Sequence, residues 1–90
     1  MAIKRREYFK RGVVSLRFKL AKGKEASIGV VTPGKWNFGI AKSPEVIHVI
    51  TGVLKINGHT MRQFSTPIHI NVGDPIVIEA KRDASYLCEY

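Results

Sequence analysis

The stretch Ser43 to Ile56, SPEVIHVITGVLKI, holds the longest β-branched apolar run of the 90-residue chain. Val46, Ile47, Val49, Ile50 and Thr51 favour a pleated strand, because branching at Cβ stiffens the side chain and suits a half-buried sheet surface. Gly52 places a residue without Cβ where the chain must bend or another backbone must pass close. Val53 to Ile56 then resumes the strand pattern up to Asn57-Gly58, a pair suited to a type I′ hairpin turn, which needs positive φ at both central positions. Glu45 leads the run, and a carboxylate at the head of an apolar strand is costly unless it has a partner or a task.

Working outward, Val14, Leu16, Phe18 and Leu20 alternate with Ser15, Arg17 and Lys19, which predicts a strand with its apolar side buried and a wet, positive opposite face. Ser27 to Thr32 reads as a strand with a bulge or close approach at Gly29. Thr32-Pro33-Gly34-Lys35 has the chemistry of a type II turn, which would fold Trp36 to Ala41 straight back with Trp36, Phe38 and Ile40 on one inner face. After the hairpin arm His59 to Phe64, Pro67 to Val72 and Ile76 to Ala80 read as strands about the turn Gly73-Asp74-Pro75. Ser85 to Tyr90 reads as the last strand, with Tyr86 and Cys88 on one side and Leu87 on the other. Eight or nine short strands without helical periodicity predict an all-β fold, best matched by a small jelly-roll barrel.

Six residues lie between Glu45 and Gly52, a spacing that resembles the second half of the first cupin motif, in which a His-x-His pair precedes the glutamate. Here Phe38, Gly39, Ile40 and Ala41 stand in that place and none can ligate a metal. His48, His59 and His69 have no close ligand spacing either, so no metal or other cofactor is expected.

The length and the 44% hydrophobic content imply a single domain spanning 1–90, with a basic N-terminal segment at about 1–12. No apolar run approaches a membrane span, Met1 to Gly12 is too charged for a signal peptide, and the lone Cys88 makes no internal disulfide. A soluble, cytoplasmic protein with a buried, inert thiol is expected. Residues 1–24 carry nine basic groups against Glu7 alone, so the whole formal excess of +8 lies there. That concentration admits an anionic partner, yet the remainder offers no basic and aromatic face, so nucleic acid is not the expected ligand. Removal of residues 1–6 is expected to leave any activity largely intact.

Glu7-Tyr8-Phe9 followed by Gly12, the strand Ala26 to Val31, Pro33-Gly34, Phe38, Pro44-Glu45 with Val49-Ile50 and Gly52, and the ending Ser85-Tyr86-Leu87-Cys88 with Tyr90 together resemble the cupin-type pyrimidine/purine nucleoside phosphorylases, nearly end to end. The resemblance implies a small cupin barrel that is an enzyme, a pentosyltransferase cleaving purine and pyrimidine nucleosides with inorganic phosphate to free base and ribose 1-phosphate, without metal. It also implies a homodimer, which an open barrel with exposed edges favours. The chain departs from the family at Val46, Ile47 and His48 after the Pro-Glu pair, and at Glu89, where an arginine is usual. A cupin that binds a small ligand without turning it over is the alternative, and a nucleic-acid binder using the basic N-terminus a more remote one.

Phosphorolysis develops oxocarbenium-like charge at the ribose C1′ while the base leaves with the bonding electrons, so the catalyst must hold phosphate, sugar and base together. Glu45 is the catalytic candidate, since an ionised carboxylate accepts bonds from a vicinal diol and favours the developing cation. Phe38, Tyr8 and Tyr86 are candidates to stack the base. For phosphate the chain offers no glycine-rich cradle, leaving Arg82, Arg11 or exposed N–H groups at a barrel rim, among which the sequence does not choose.

Overall fold

The alternating segments form strands throughout the computed structural model, which describes residues 3–90. They are β1 (Ile3–Tyr8), β2 (Val13–Lys19), β3 (Glu25–Val31), β4 (Gly34–Ile40), β5 (Glu45–Thr51), β6 (Val53–Ile56), β7 (His59–Arg62), β8 (Ile68–Ile70), β9 (Pro75–Ala80) and β10 (Ala84–Glu89). Every pairing is antiparallel. A six-stranded sheet of order β1-β2-β3-β10-β5-β8 faces a four-stranded sheet of order β4-β9-β6-β7, giving a cupin-like jelly roll whose two sheets do not close into one continuous barrel. The last strand, β10, thus sits inside the larger sheet, between β3 and β5. Among the described residues no helix is long and apolar enough to cross a membrane.

The central stretch is split between the sheets. β5 belongs to the larger one and β6 to the smaller, and Gly52 makes the transfer with φ of +76°. A Cβ there would lie 2.9 Å from Ala84 Cβ and 3.0 Å from the Asp83 carbonyl oxygen, so both the bend and the close approach expected of this glycine occur. Asn57 and Gly58 close the β6–β7 hairpin with φ of +49° and +84°. The Asn57 side chain also ties the turn to β9, donating to the Pro75 carbonyl at 2.6 Å and accepting from the Val77 N–H at 2.9 Å. Val13, Val31, Ile47, Leu54, Ile56 and Ile70 are fully buried between the sheets.

Four expectations change. First, the described residues form ten strands, because the segment Ile3–Tyr8 pairs along its whole length with β2; its backbone groups find partners although its side chains are mostly exposed. Second, β2 has the opposite phase. Val13 and Ser15 are buried, whereas Leu16 is 44% exposed, since alternation fixes a period and not which face is inward. The outward side chains shelter one another, with Leu16 opposite Ile28 and Ile28 opposite Leu87. Third, Pro33-Gly34 does not fold β4 back onto β3. Gly34 has φ of +150° rather than the roughly +80° of a type II turn, and β4 crosses to pair with β9 in the other sheet. Fourth, an extra residue on β4 between Asn37 and Ile40 breaks the alternation, so Trp36 and Phe38 pack on the core while Ile40 turns outward.

Candidate active site on the inner face of the larger sheet

Strand register carries a row of side chains across the larger sheet. Lys4 stands opposite Arg17, Arg17 opposite Ser27, Ser27 opposite Cys88 and Cys88 opposite Ile47. Two residues along, the same face carries Arg6, Ser15, Gly29, Tyr86 and Val49. Because alternate residues share a face, Glu45 points the same way as Ile47, toward the second sheet. The inner face is therefore apolar where the four-stranded sheet covers it and polar toward the uncovered β1–β2 side.

Glu45 is half-buried and accepts a hydrogen bond at Oε1 from Cys88 Sγ, 3.1 Å away. The thiol is 2% exposed, and burial, reinforced by the hydrogen bond to Glu45 and its charge, pushes its pKa well up, so Cys88 is held as a protonated donor and not as a nucleophile. The hydroxyls of Ser27 and Tyr90 lie 2.9 Å apart. Desolvation pushes the Tyr90 phenol up to about 12, against the Ser27 hydrogen bond. The Arg17 guanidinium stacks 4.0 Å from the Tyr90 ring centroid and donates to Glu25 Oε2 from Nε at 2.8 Å and from Nη2 at 2.5 Å. That hydrogen bond, with the arginine's charge, holds the Glu25 carboxyl below the usual range.

Tyr86 lies across Gly29, where any Cβ would collide with the phenol ring. Burial raises its pKa as well. Beyond it the interior is aromatic. Tyr8 meets Phe38 edge-on at 5.2 Å, and Phe9 lies 5.2 Å from both Phe38 and Trp36.

Glu45 and Tyr86 face the interior from β5 and β10, whereas Tyr8 and Phe38 gather with Phe9 and Trp36 at the β1–β2 turn, the other end of the interior from Glu45. Arg11 and Arg82 are not brought to the interior. Arg11 lies in the β1–β2 turn with its side chain 79% exposed, 3.5 Å from Glu7, and Arg82 is exposed in the β9–β10 turn, where the larger sheet ends opposite to Glu45. His48 faces outward, its Nε2 3.5 Å from the Glu89 carboxylate. Among the described residues no three of His, Cys, Asp and Glu converge as metal ligands would. Sequence reasoning missed Arg17, Ser27 and Tyr90 as neighbours of this site. The signal was the alternation of β2 read in its other phase, in which Ser15 and Arg17 face in.

Comparison with known proteins bears on this arrangement. Residues 3–90 match the family profile described as pyrimidine/purine nucleoside phosphorylase. A relative of that name from Pseudomonas syringae is 39% identical over 89 residues, covering 93% of this chain and 94% of its own. One from Pseudomonas putida is 36% identical over 92 residues, with 93% of each chain covered. Among solved structures, a Vibrio parahaemolyticus protein described as of unknown function superposes with a TM-score of 0.85 at 32% identity, covering 100% of this chain and 99% of that one. The cupin domain of an Enterobacter cloacae transcriptional regulator gives 0.68 at 13% identity, covering 87% and 94%, a likeness of fold alone. The chain belongs to the pyrimidine/purine nucleoside phosphorylase family.

Proposed function

We propose that the protein cleaves purine and pyrimidine nucleosides by phosphorolysis on the inner face of the larger sheet. A phosphate oxygen forms a bond to the ribose C1′ as the C1′–N bond breaks. The bonding pair leaves with the base, which takes up a proton, and the products are free base and ribose 1-phosphate. Glu45 bonds the ribose diol and stabilises the developing cation, while Tyr86 flanks the base. The observation that carries this reading is the state of Glu45. The carboxylate is half-buried on an inward face, Cys88 engages Oε1, and Oε2 has no side-chain partner among the described residues. A half-buried carboxylate with one oxygen free can accept a hydrogen bond from a sugar hydroxyl.

The test is incubation with adenosine, inosine, uridine and cytidine, with and without phosphate and with a chelator, followed by separation of base from nucleoside. Phosphate-dependent, chelator-insensitive release of base is the expected result. Release without phosphate would make the protein a hydrolase, and binding without release would leave a cupin that holds its ligand unchanged.

The working form is proposed to be a homodimer. In support, the outer face of the larger sheet exposes Leu16, Ile28 and Val30 in adjoining strands, an apolar surface that a second copy would cover. Light scattering should give twice the chain mass of 10.1 kDa, and Ile28→Lys should halve it.

A further inference from the structure

We propose that Arg17, Lys4 and Arg6 form the oxyanion site that holds inorganic phosphate. The choice of phosphate as ligand rests on the phosphorolytic reading above, but the site rests on geometry. A cleft of about 290 Å³ opens at the β1–β2 side of the larger sheet, lined by Lys4, Arg6, Arg17, Phe18, Lys19 and Glu25. Four cations against one carboxylate leave a surplus of three positive charges in it, which attracts a di- or monoanionic phosphate.

Arg17 is the residue prepared for the task. A guanidinium has five N–H donors in a fixed plane, and Glu25 takes bonds from Nε and Nη2 through a single oxygen. Nη1 makes no hydrogen bond among the described residues, so its edge remains for a ligand, in a plane already fixed by Glu25 and the Tyr90 ring. Lys4 is directly opposite Arg17 in the register and Arg6 opposite Ser15. Alternation directs both lysine and arginine to the face that carries Arg17, while Arg5 points away.

The spacing to Glu45 suits the reaction. Arg17 lies on β2 and Glu45 on β5, three strand intervals apart, roughly 14 Å between backbones at about 4.8 Å per interval. Tyr90, Ser27 and Cys88 lie on the sheet between the two, with the Ser27 and Tyr90 hydroxyls 2.9 Å apart.

The experiment is equilibrium dialysis of the full chain against radiolabelled inorganic phosphate without nucleoside, at fixed ionic strength. Saturable binding that sulfate competes and chloride does not is expected. Arg17→Gln should weaken it by at least about tenfold, the scale of a lost charge-assisted contact, with Lys81→Gln unchanged. Glu25→Gln should tighten it, since the competing carboxylate is removed while Arg17 remains. If the Arg17–Glu25 pair were only a brace, both variants would weaken binding together, and that outcome overturns the proposal. Loss of binding in Arg82→Gln but not in Arg17→Gln overturns it as well and moves the site to the β9–β10 turn. Phosphate binding as described with no base release would sink the phosphorolytic function and leave the site standing. Phosphorolysis whose KM for phosphate ignores Arg17→Gln would do the reverse.

Discussion

The two ends of the interior are built from the same strands and solve opposite problems. At the β1–β2 turn, Tyr8, Phe9, Trp36 and Phe38 fill the space with rings in edge and tilted contacts. Four residues further along β2, roughly 13 Å at about 3.3 Å per residue, the same face presents Arg17, and across from it Ser27, Cys88 and Glu45. The aromatic end gains its stability from apolar burial and needs no partner. The polar end keeps donors and an acceptor at the edge of the core, where each has some partner and some unused capacity. Apolar packing and hydrogen-bonding capacity are therefore segregated along one strand, and substitutions at the two ends should fail in different ways.

The widest separation is expected from Glu45→Gln. The amide keeps shape and an acceptor but removes the negative charge, so kcat should fall on the order of 10²-fold or more with the thermal midpoint little changed. Unfolding instead would make the carboxylate structural, and full turnover would remove it from the chemistry. Phe38→Ala should act on stability, by about 2 kcal/mol, below the usual cost for a fully buried ring because Phe38 is half-buried. Chemical denaturation measures this. A raised KM for nucleoside in the stable Phe38→Leu variant would show that the ring also contacts the base.

Alkali should expose the polar end. Cys88, Tyr86 and Tyr90 all have folded-state pKa values above their ordinary ones, burial being the leading cause. Their contribution is present in full below the unfolded values of 9.0 for the thiol and 10.0 for the phenols, and is lost as pH rises past them. The thermal midpoint should fall from about pH 9 upward, and Cys88→Ala should remove the first part of that fall; a flat profile to pH 11 would contradict the buried placement. The smallest effect on stability belongs to Glu25→Gln, because the pair is partly solvated and exposed ion pairs contribute little. The lowered carboxyl pKa gives the sign. Its stabilisation is present above the ordinary carboxylate value and disappears as pH falls through the lowered one, so the parent should lose more stability than the variant between pH 5 and 3.

Most of the strand plan was legible in the sequence because side-chain period and turn chemistry are local. Gly52 and Asn57-Gly58 are instances, each predicted from one or two residues and found with positive φ. Sheet membership was not legible, since nothing local to Pro33-Gly34 says that β4 pairs with β9 rather than β3. The phase of β2 was not legible for a related reason. Its apolar residues meet Ile28 and Leu87 on the outside of the sheet, a fact of register across three strands. Glu45 stood out at once as an acid heading an apolar strand. Arg17 did not, because an arginine alternating with leucine and phenylalanine looks like any solvated face until the sheet above it is known to stop short. The strand β1 was not legible either, and Lys4 and Arg6 on it line the same cleft as Arg17.

The position of β10 has a consequence for how the chain is made. β3 and β5 are both finished long before β10 is synthesised, yet each hydrogen-bonds along its length to that strand. Until β10 emerges from the ribosome, the larger sheet exists as two fragments with facing, unsatisfied edges, rich in Val and Ile and open to pairing with neighbouring nascent chains. The protein must therefore acquire its fold late, in one long-range closure, and a cell making it on crowded polysomes depends on whatever keeps those edges apart until the closing strand arrives.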